Sequence, residues 1–545
     1  MRIIHYSMKY ILKHKLVFFV LILFSILDSI ILAILPYISG KLIDNLLAAP
    51  KMKTIYIFAL VYIVITIIQL ISQYLQTVSQ TRLTAHASMA LNCDVINHMQ
   101  KLPLSFFGDK DMVYYNQRIY SDSSAVISFA VSTVVQFMSN ILSTVLTLYI
   151  VAKINTKICI FFFIAILVYT IQYVFTKKIL YSSTQQFKER QAEFYSILFE
   201  QMSNLRLIKV LNAFEFFKSR LDTSFLKLYK TIIKSQKVMY TFKGSQLLLT
   251  SIARVFLLIF AGIQFLNGKI TIGMLSVLLS YLSTVINSAT YFVELGKNYV
   301  TNLVSYNRLK ELEDIEEEPN GEKNLDVIEN ISLTDIHYGY DNNKLVKNLN
   351  IKFDKGKIYC IYGPNGIGKS TLADLVLGLH HNYSGKVLIN DQFILNELDM
   401  YKMREKLCYY ASQHPLLFND TIYNNIMVNI SNIDKADIEM MADKLGLFSR
   451  KDSNLSFEYI INENGTNLSG GECQKISLIR SFLSKRDVII YDEPTSYLDT
   501  ASKKFFVDKI HELKNFNESI IIIITHDETL KQICDKFINL EEYKV

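Results

Sequence analysis

A short stretch of the C-terminal half has the composition and order that a polyphosphate requires. Gly363–Thr371 reads GPNGIGKST, which fits the pattern GxxxxGK followed by Ser or Thr. Gly363, Gly366 and Gly368 let backbone N–H groups, with that of Asn365 between them, turn toward phosphate oxygens, and Lys369 adds a point charge. Ser370 offers a hydroxyl to Mg²⁺, and Thr371 follows it. The context is the required one. An apolar β run, Lys357–Tyr362, precedes the loop, and a helix-like stretch, Leu372–Leu379, follows it. Further on, Asp487–Glu493 reads DVIIYDE. Its four apolar residues predict a buried strand that delivers Asp492 to the carboxyl edge of a sheet. Asp492 suits the water shell of Mg²⁺, and Glu493 suits a general base for an attacking water.

These residues need elements to position them, and composition says what kind. The chain has 545 residues, 50% of them hydrophobic and only 20% charged. That excludes a disordered or fibrous protein and argues against an ordinary soluble enzyme. The apolar excess sits in the first 300 residues or so, in six runs of bilayer-spanning length. They are Leu16–Tyr37, Ile55–Tyr74, a segment within Ala125–Ala152, Ile158–Phe175, Leu247–Leu266 and Leu275–Val293. The polar stretch between the fourth and fifth runs is rich in Lys and Arg, from Lys177 to Lys237, so the long loops and both termini are expected in the cytoplasm. The basic, amphipathic Met1–Lys15 is expected along the inner surface of the membrane. The net charge of +7 fits basic cytoplasmic loops rather than a nucleic-acid partner. The 6 cysteines show no CxxC and no metal spacing, so reduced, mostly buried thiols are expected.

The long loops themselves read as helices. Thr81–Lys101 and Phe187–Leu211 lack Pro and Gly and place apolar residues three and four apart. Membrane helices therefore continue into the cytoplasm and turn at two short segments, about Gly108–Arg118 and Val210–Ser219. An acidic break, Glu311–Glu322, then contains Pro319 and Gly321. Beyond residue 311 lie 12 of the 19 glycines, and short β runs alternate with helical stretches. The expected organisation is a transmembrane helical domain over 1–310, a linker over 311–324, and an α/β P-loop domain over 325–545.

Asn467–Glu472 reads NLSGGE. With the phosphate loop upstream and the strand ending in Asp-Glu downstream, this order resembles the nucleotide-binding domain of ATP-binding cassette (ABC) transporters. The six preceding spans resemble the exporter-type transmembrane domain. The resemblance implies further roles. Tyr340 in HYGYD is similar to the aromatic that stacks on adenine, and Gln413 in YYASQHPLLF to the glutamine that touches Mg²⁺. Glu463 and Gly465 resemble the segment that meets the coupling helices, and Ser496–Asp499 the loop that joins the two nucleotide sites. His526 is similar to the histidine that contacts the γ-phosphate, and Ser469, Gly470, Gly471 and Glu472 form the signature. The chain departs from the pattern at Glu472, where Gln is usual, at Cys473, Lys475 and Tyr497. An acid at 472 near bound phosphates is expected to retune hydrolysis.

The same resemblance implies ATP and Mg²⁺ held between the phosphate loop of one copy and the signature of another, hence a dimer with twelve spans. Intact Glu493 and His526 favour a homodimer over a heterodimer. The expected activity is ATP-driven export of an amphipathic substrate across the cytoplasmic membrane, a peptide first, a lipid or drug next. Two alternatives stand beside it: import of a metal-chelate compound, and a non-transporting, ATP-gated regulator. Only 15 residues precede the first span and the first cysteine is Cys93, so no leader-cleaving protease domain is expected. Asp28 and Arg254 lie within spans, where a charge is paired or faces a cavity. Gln69, Gln136, Gln172 and Asn287 are weaker candidates of the same kind, with interhelix hydrogen bonding the ordinary alternative.

Overall fold

Long helices account for the first three hundred residues, because the helical period of the apolar runs continues into the polar stretches beside them, even through Pro36, Gly40 and Gly296. The structure, a computed structural model, describes residues 2–48, 52–107, 112–340, 343–430, 433–449, 455–462, 465–516 and 518–544. It divides into two compact units: Met1–Gln100 with Met112–Ile315, and Lys101–Asp111 with Glu316–Val545.

The first unit is helical. It contains α1 (Arg2–Ile11), α2 (Lys15–Ala48), α3 (Met52–Met99), α4 (Met112–Ile154), α5 (Thr156–Ser203), α6 (Leu205–Val210), α7 (Phe214–Leu266) and α8 (Ile272–Glu313). Six of its helical segments are long and apolar enough to cross a membrane, and each contains one of the six apolar runs. At 1.5 Å per residue, a helix such as α5 with 48 residues is far longer than the roughly 30 Å hydrocarbon core. α1 buries Ile3, Ser7, Tyr10 and Ile11, one face at helical spacing, and Tyr6 donates its hydroxyl to Glu313 of α8.

The first turn begins earlier than the sequence pattern indicates, and the second, at Leu211–Ala213, lies within the expected Val210–Ser219. α3 already ends at Met99, because Pro103 and the short turn Leu104–Phe106 interrupt it, and α4 has begun by Met112. Gly108, with residues 109–111, lies outside the described residues. The helix expected over Phe187–Leu211 breaks at Asn204, which leaves α6 as a separate turn ahead of Leu211–Ala213. Asn204 sits at φ −103° and ψ 22°, outside the helical well, and its side chain bonds back to the Glu200 carbonyl.

Small residues and polar caps join α2 to α8. A Cβ on Gly40 would collide with Val277 and lie 2.7 Å from the Gly273 carbonyl oxygen. The carboxylate of Asp44 accepts from Thr271 Oγ1 at 2.5 Å and Gly273 N–H at 2.8 Å, and Tyr281 donates to the Ala33 carbonyl at 2.5 Å. Gln172 makes the interhelix bond expected of it, donating to Ser245 of α7 at 2.5 Å.

The second unit is α/β. Its elements are β1 (Asn330–Tyr340), β2 (Asn343–Asp354), β3 (Ile358–Tyr362), α9 (Lys369–Val376), β4 (Tyr383–Ile389), β5 (Phe393–Ile394), α10 (Met400–Leu407), β6 (Cys408–Ala411), α11 (Ile422–Met427), α12 (Lys435–Lys444), α13 (Gly470–Ser484), β7 (Val488–Asp492), α14 (Thr500–Phe516), β8 (Ile520–Ile524), α15 (Glu528–Lys531) and β9 (Lys536–Asn539). One sheet is antiparallel, in the order β2-β1-β4-β5, and the other is parallel, in the order β6-β7-β8-β3-β9. β8 is five isoleucines, all buried. Ile520, Ile522 and Ile524 enter one core and Ile521 and Ile523 the other, the two-residue period of a strand covered on both faces.

The close approach of α2 and α8 leaves no room for a side chain. Gly40→Val should lower the thermal midpoint of the detergent-solubilised chain, a loss of about 1–3 kcal/mol from overpacking. Gly262→Val, at a position with nothing within 4 Å, serves as the control and should change the midpoint little.

Candidate nucleotide-binding site

Three neighbouring strands of the parallel sheet, in the order β7-β8-β3, release their chains at one carboxyl edge. The glycine loop follows β3, Asp492 ends β7 with Glu493 next, and Thr525 and His526 follow β8. The topology thus collects residues more than 150 positions apart.

The loop keeps its shape through backbone angles that only glycine adopts easily. Gly366 and Gly368 have φ of +80° and +103°, and a Cβ on Gly368 would sit 2.9 Å from the Tyr338 ring. Buried Tyr338 donates its hydroxyl to the Gly368 carbonyl at 3.0 Å, which props the loop from below. Pattern reasoning passed over Tyr338 in favour of Tyr340, because nothing in HYGYD says which tyrosine turns inward. Tyr340 closes β1, and its side chain lies outside the described residues. Gly368 caps α9 without a side chain, so the first N–H groups of that helix keep no internal cap and suit an anion. α9 starts at Lys369, three residues before the stretch expected to be helical, and Gly378 turns the chain away beyond it. Thr371 is buried in its first turn, and Asn365 stands exposed on the loop.

The charged groups gather around the loop. Lys369 Nζ donates to the Gly363 carbonyl at 2.7 Å and lies 3.0 Å from His526 Nε2. Ser370 donates to Asp492 Oδ2 at 2.9 Å, and Tyr410 of β6 donates to the same oxygen at 3.1 Å. A hydroxyl and a buried carboxylate in contact at the foot of a phosphate loop fit a hard cation such as Mg²⁺. Glu493 has φ +47°; its N–H is held by the Ile524 carbonyl at 2.9 Å. Its carboxylate accepts the His526 backbone N–H at 3.1 Å and the Thr525 hydroxyl at 3.4 Å. Gln413 lies exposed in the loop after β6, and among the described residues no side-chain bond ties it to this group.

The electrostatics follow from burial and crowding. Burial holds the Lys369 ammonium below the usual lysine range, and Glu493 and Asp492 oppose that shift. Burial, with Asp492 nearby, pushes the Asp374 carboxyl up to about 6, and the same two causes push the Tyr410 hydroxyl up.

Residues 346–496 match the family described as ABC transporter, and residues 18–289 match the ABC transporter transmembrane region. The chain belongs to the ABC transporter family. Its likeness to the structure of a bacterial Atm1-family ABC exporter with ATP bound has a TM-score of 0.82 at 18% identity, over 95% of this chain and 92% of that one. The transport/processing ATP-binding protein ComA of Streptococcus pneumoniae is 23% identical over 96% of this chain and 73% of its own length. The microcin-J25 export ATP-binding/permease protein McjD of Escherichia coli is 26% identical over 96% of this chain and 91% of its own. The ATP-dependent lipid A-core flippase of Desulfotalea psychrophila is 24% identical, with the same coverage.

In this ABC transporter the signature residues open α13 and stand apart from the phosphate loop. No hydrogen bond among the described residues joins Ser469–Gly471 to 363–371. Ser469 and Gly470 are exposed, and a Cβ on Gly471 would fall 2.9 Å from the Tyr497 carbonyl oxygen. The unusual Glu472 is the third residue of a capping box. Its Oε2 accepts the Ser469 N–H at 2.7 Å, while the Ser469 hydroxyl accepts the Glu472 N–H at 3.4 Å. Gln474, which motif reading left out, ties the strand to the signature helix: it donates to the Glu493 carbonyl at 2.9 Å and accepts the Tyr497 N–H at 3.1 Å. Lys475 donates to Asp499 Oδ2 at 3.3 Å, which anchors the end of Ser496–Asp499. Gly465 lies within the core of this unit, and Glu463 lies outside the described residues.

The acidic stretch after α8 is also held. Buried Glu318 pairs with Arg404 of α10 and sits 3.7 Å from His381; its N–H donates to the Lys101 carbonyl at 2.7 Å. Burial raises its pKa, but His381 and Arg404 outweigh that and hold the carboxyl below the usual range.

Asp374 generates a pH prediction. Its native pKa of about 6 exceeds the ordinary carboxylate value near 4, so its contribution is favourable at low pH and is lost as pH rises through 6. Asp374→Asn should therefore raise the melting midpoint of the full chain at pH 8, and that gain should shrink steadily as the pH is lowered to 4.5.

Proposed function

We propose that two copies of this chain form an exporter that hydrolyses ATP to move an amphipathic substrate outward across the cytoplasmic membrane. Peptide is the first substrate class and lipid or drug the next. The observation that carries this reading is the meeting of Lys369, Ser370, Asp492, Glu493 and His526 at one sheet edge. Six helices of spanning length in the same chain supply the path. The roles of the relatives, microcin export and transport/processing among them, support peptide over lipid. We keep 1–310 as the transmembrane domain, 311–324 as the linker and 325–545 as the nucleotide-binding domain, with that domain and both termini in the cytoplasm.

In this reading the N–H groups of Gly363, Asn365, Gly366, Gly368 and Thr371 hold phosphate oxygens, and Lys369 releases the Gly363 carbonyl to join them. Ser370, Asp492 and Gln413 hold Mg²⁺, which neutralises phosphate charge when bound. Glu493 takes the proton of the attacking water at a carboxylate oxygen, and His526 donates to the γ-phosphate. Tyr340 stacks on the adenine. Ser469, Gly470, Gly471 and Glu472 of the second copy close the site, so a dimer is required. With one complete set per chain, a homodimer suffices.

Removing the base should be decisive. Glu493→Gln is expected to lower steady-state ATPase activity by about 100-fold or more while ATP binding persists, and to abolish ATP-driven uptake of a peptide into inverted vesicles. Persistent hydrolysis would overturn the assignment of Glu493. Accumulation in right-side-out rather than inverted vesicles would reverse the direction.

Glu472 gives a second test. Its carboxylate accepts the Ser469 N–H and sets a negative charge at a helix end that otherwise favours phosphate. Gln keeps the capping box without the charge, so Glu472→Gln should lower KM for ATP, while Glu472→Ala should also destabilise the fold by about 1 kcal/mol.

A further inference from the structure

Asp28 lies near the middle of the first apolar run, on α2, and its partners are neutral. Gln73 of α3 donates to Asp28 Oδ1 at 3.2 Å, and the amide of Gln69, one turn earlier, lies beside it. Asp28 is half-buried and Gln73 is exposed. Among the described residues no Lys, Arg or His forms an ion pair with Asp28. Two amides solvate a carboxylate in part and leave its charge uncompensated. Facing hydrocarbon, that charge would be strongly disfavoured, so it faces a water-filled space or a cation.

A second charge stands at nearly the same depth. Arg254 of α7 donates to Ser283 Oγ of α8 at 3.2 Å, and among the described residues no carboxylate pairs with it. The seam between α2 and α8 is antiparallel and registered by Asp44 with Thr271, Gly40 with Gly273, and Ala33 with Tyr281. Continued inward, it places Ser283 level with Ile31, and Asp28 three residues further along, about 4.5 Å. Both charges therefore lie in one layer of the membrane unit, each without a countercharge among the described residues.

We propose that Asp28, with Gln69 and Gln73, binds a positively charged group on the transported substrate, a protonated amine or a guanidinium. This rests on the export reading above and names the chemistry that its substrate carries. An amide that donates through nitrogen still presents its carbonyl oxygen, so the three side chains offer a carboxylate and two amide oxygens to the three N–H donors of an ammonium. The site selects by charge where the rest of the path selects by apolar surface.

The test is equilibrium binding to the full chain in lipid nanodiscs without nucleotide. The probes are a short apolar peptide with capped termini and one lysine, its Nε-acetyl-lysine twin, and tetraphenylphosphonium. Wild type should bind the lysine peptide about tenfold or more tighter than the twin. Asp28→Asn should erase that preference, and Asp28→Glu should retain it. Equal affinity of wild type for the twins, both of them bound, overturns the proposal. So does recovery of wild-type folding and activity by Asp28→Arg combined with Arg254→Asp, which would make the two residues an ion pair between subunits. Binding of tetraphenylphosphonium that depends on Asp28, with neither peptide bound or accumulated in inverted vesicles, would leave the cation site standing and remove the peptide reading.

Discussion

Burial of the parallel sheet on both faces is the constraint from which the nucleotide site follows. Ile520–Ile524 have no exposed face, and β3 and β7 beside them are nearly as apolar. Strands of that kind carry no charged side chain along their length, so charged residues emerge only at the ends. Because all of them run parallel, the ends coincide at one edge. Lys369, Asp492, Glu493 and His526 are neighbours for that reason, and the stability of the site is the stability of the sheet.

Around that edge, the hydrogen bonds link parts that sequence motifs treat as separate. Gln474 on the signature helix holds the carbonyl of Glu493, and Lys475 holds Asp499. Tyr338 on the antiparallel sheet supports the glycine loop. A shift of the signature helix is therefore felt at the backbone of Glu493. The stretch after α8 is tied in as well, since Glu318 bonds both Arg404 and the Lys101 backbone. A segment that reads as an acidic spacer is a fixed strap, with Gly321 hydrogen-bonded to Leu398 and fitting only because it lacks a side chain.

The helical unit obeys a different rule. Apolar packing between helices gains little in lipid, so close approach and polar bonds supply the contacts. Gly40 against Gly273, Asp44 at the start of α8, and Tyr281 on the Ala33 carbonyl register α2 on α8. That register fixes the depth of the charged residues that remain. Asp28 and Arg254 keep neutral partners in a place where charge is disfavoured.

Local pattern was enough for much of this. The six spans, the helices that outrun the membrane, the β runs before the loop and after α13, and the phosphate loop are all set by periodicity and by glycines at fixed spacing, which are short-range properties. The first turn was misplaced by a few residues and the break at Asn204 was missed, because Pro103 and Asn204 end helices whose apolar period continues past them. Long-range facts were out of reach of such patterns. That Tyr338 faces the loop, that Glu472 caps its own helix, that Gln474 reaches Glu493 and that Glu318 is buried each depend on which surfaces meet after folding. A side chain's partner more than a few turns away is chosen by packing, and packing has no signature in the spacing of residues along the chain.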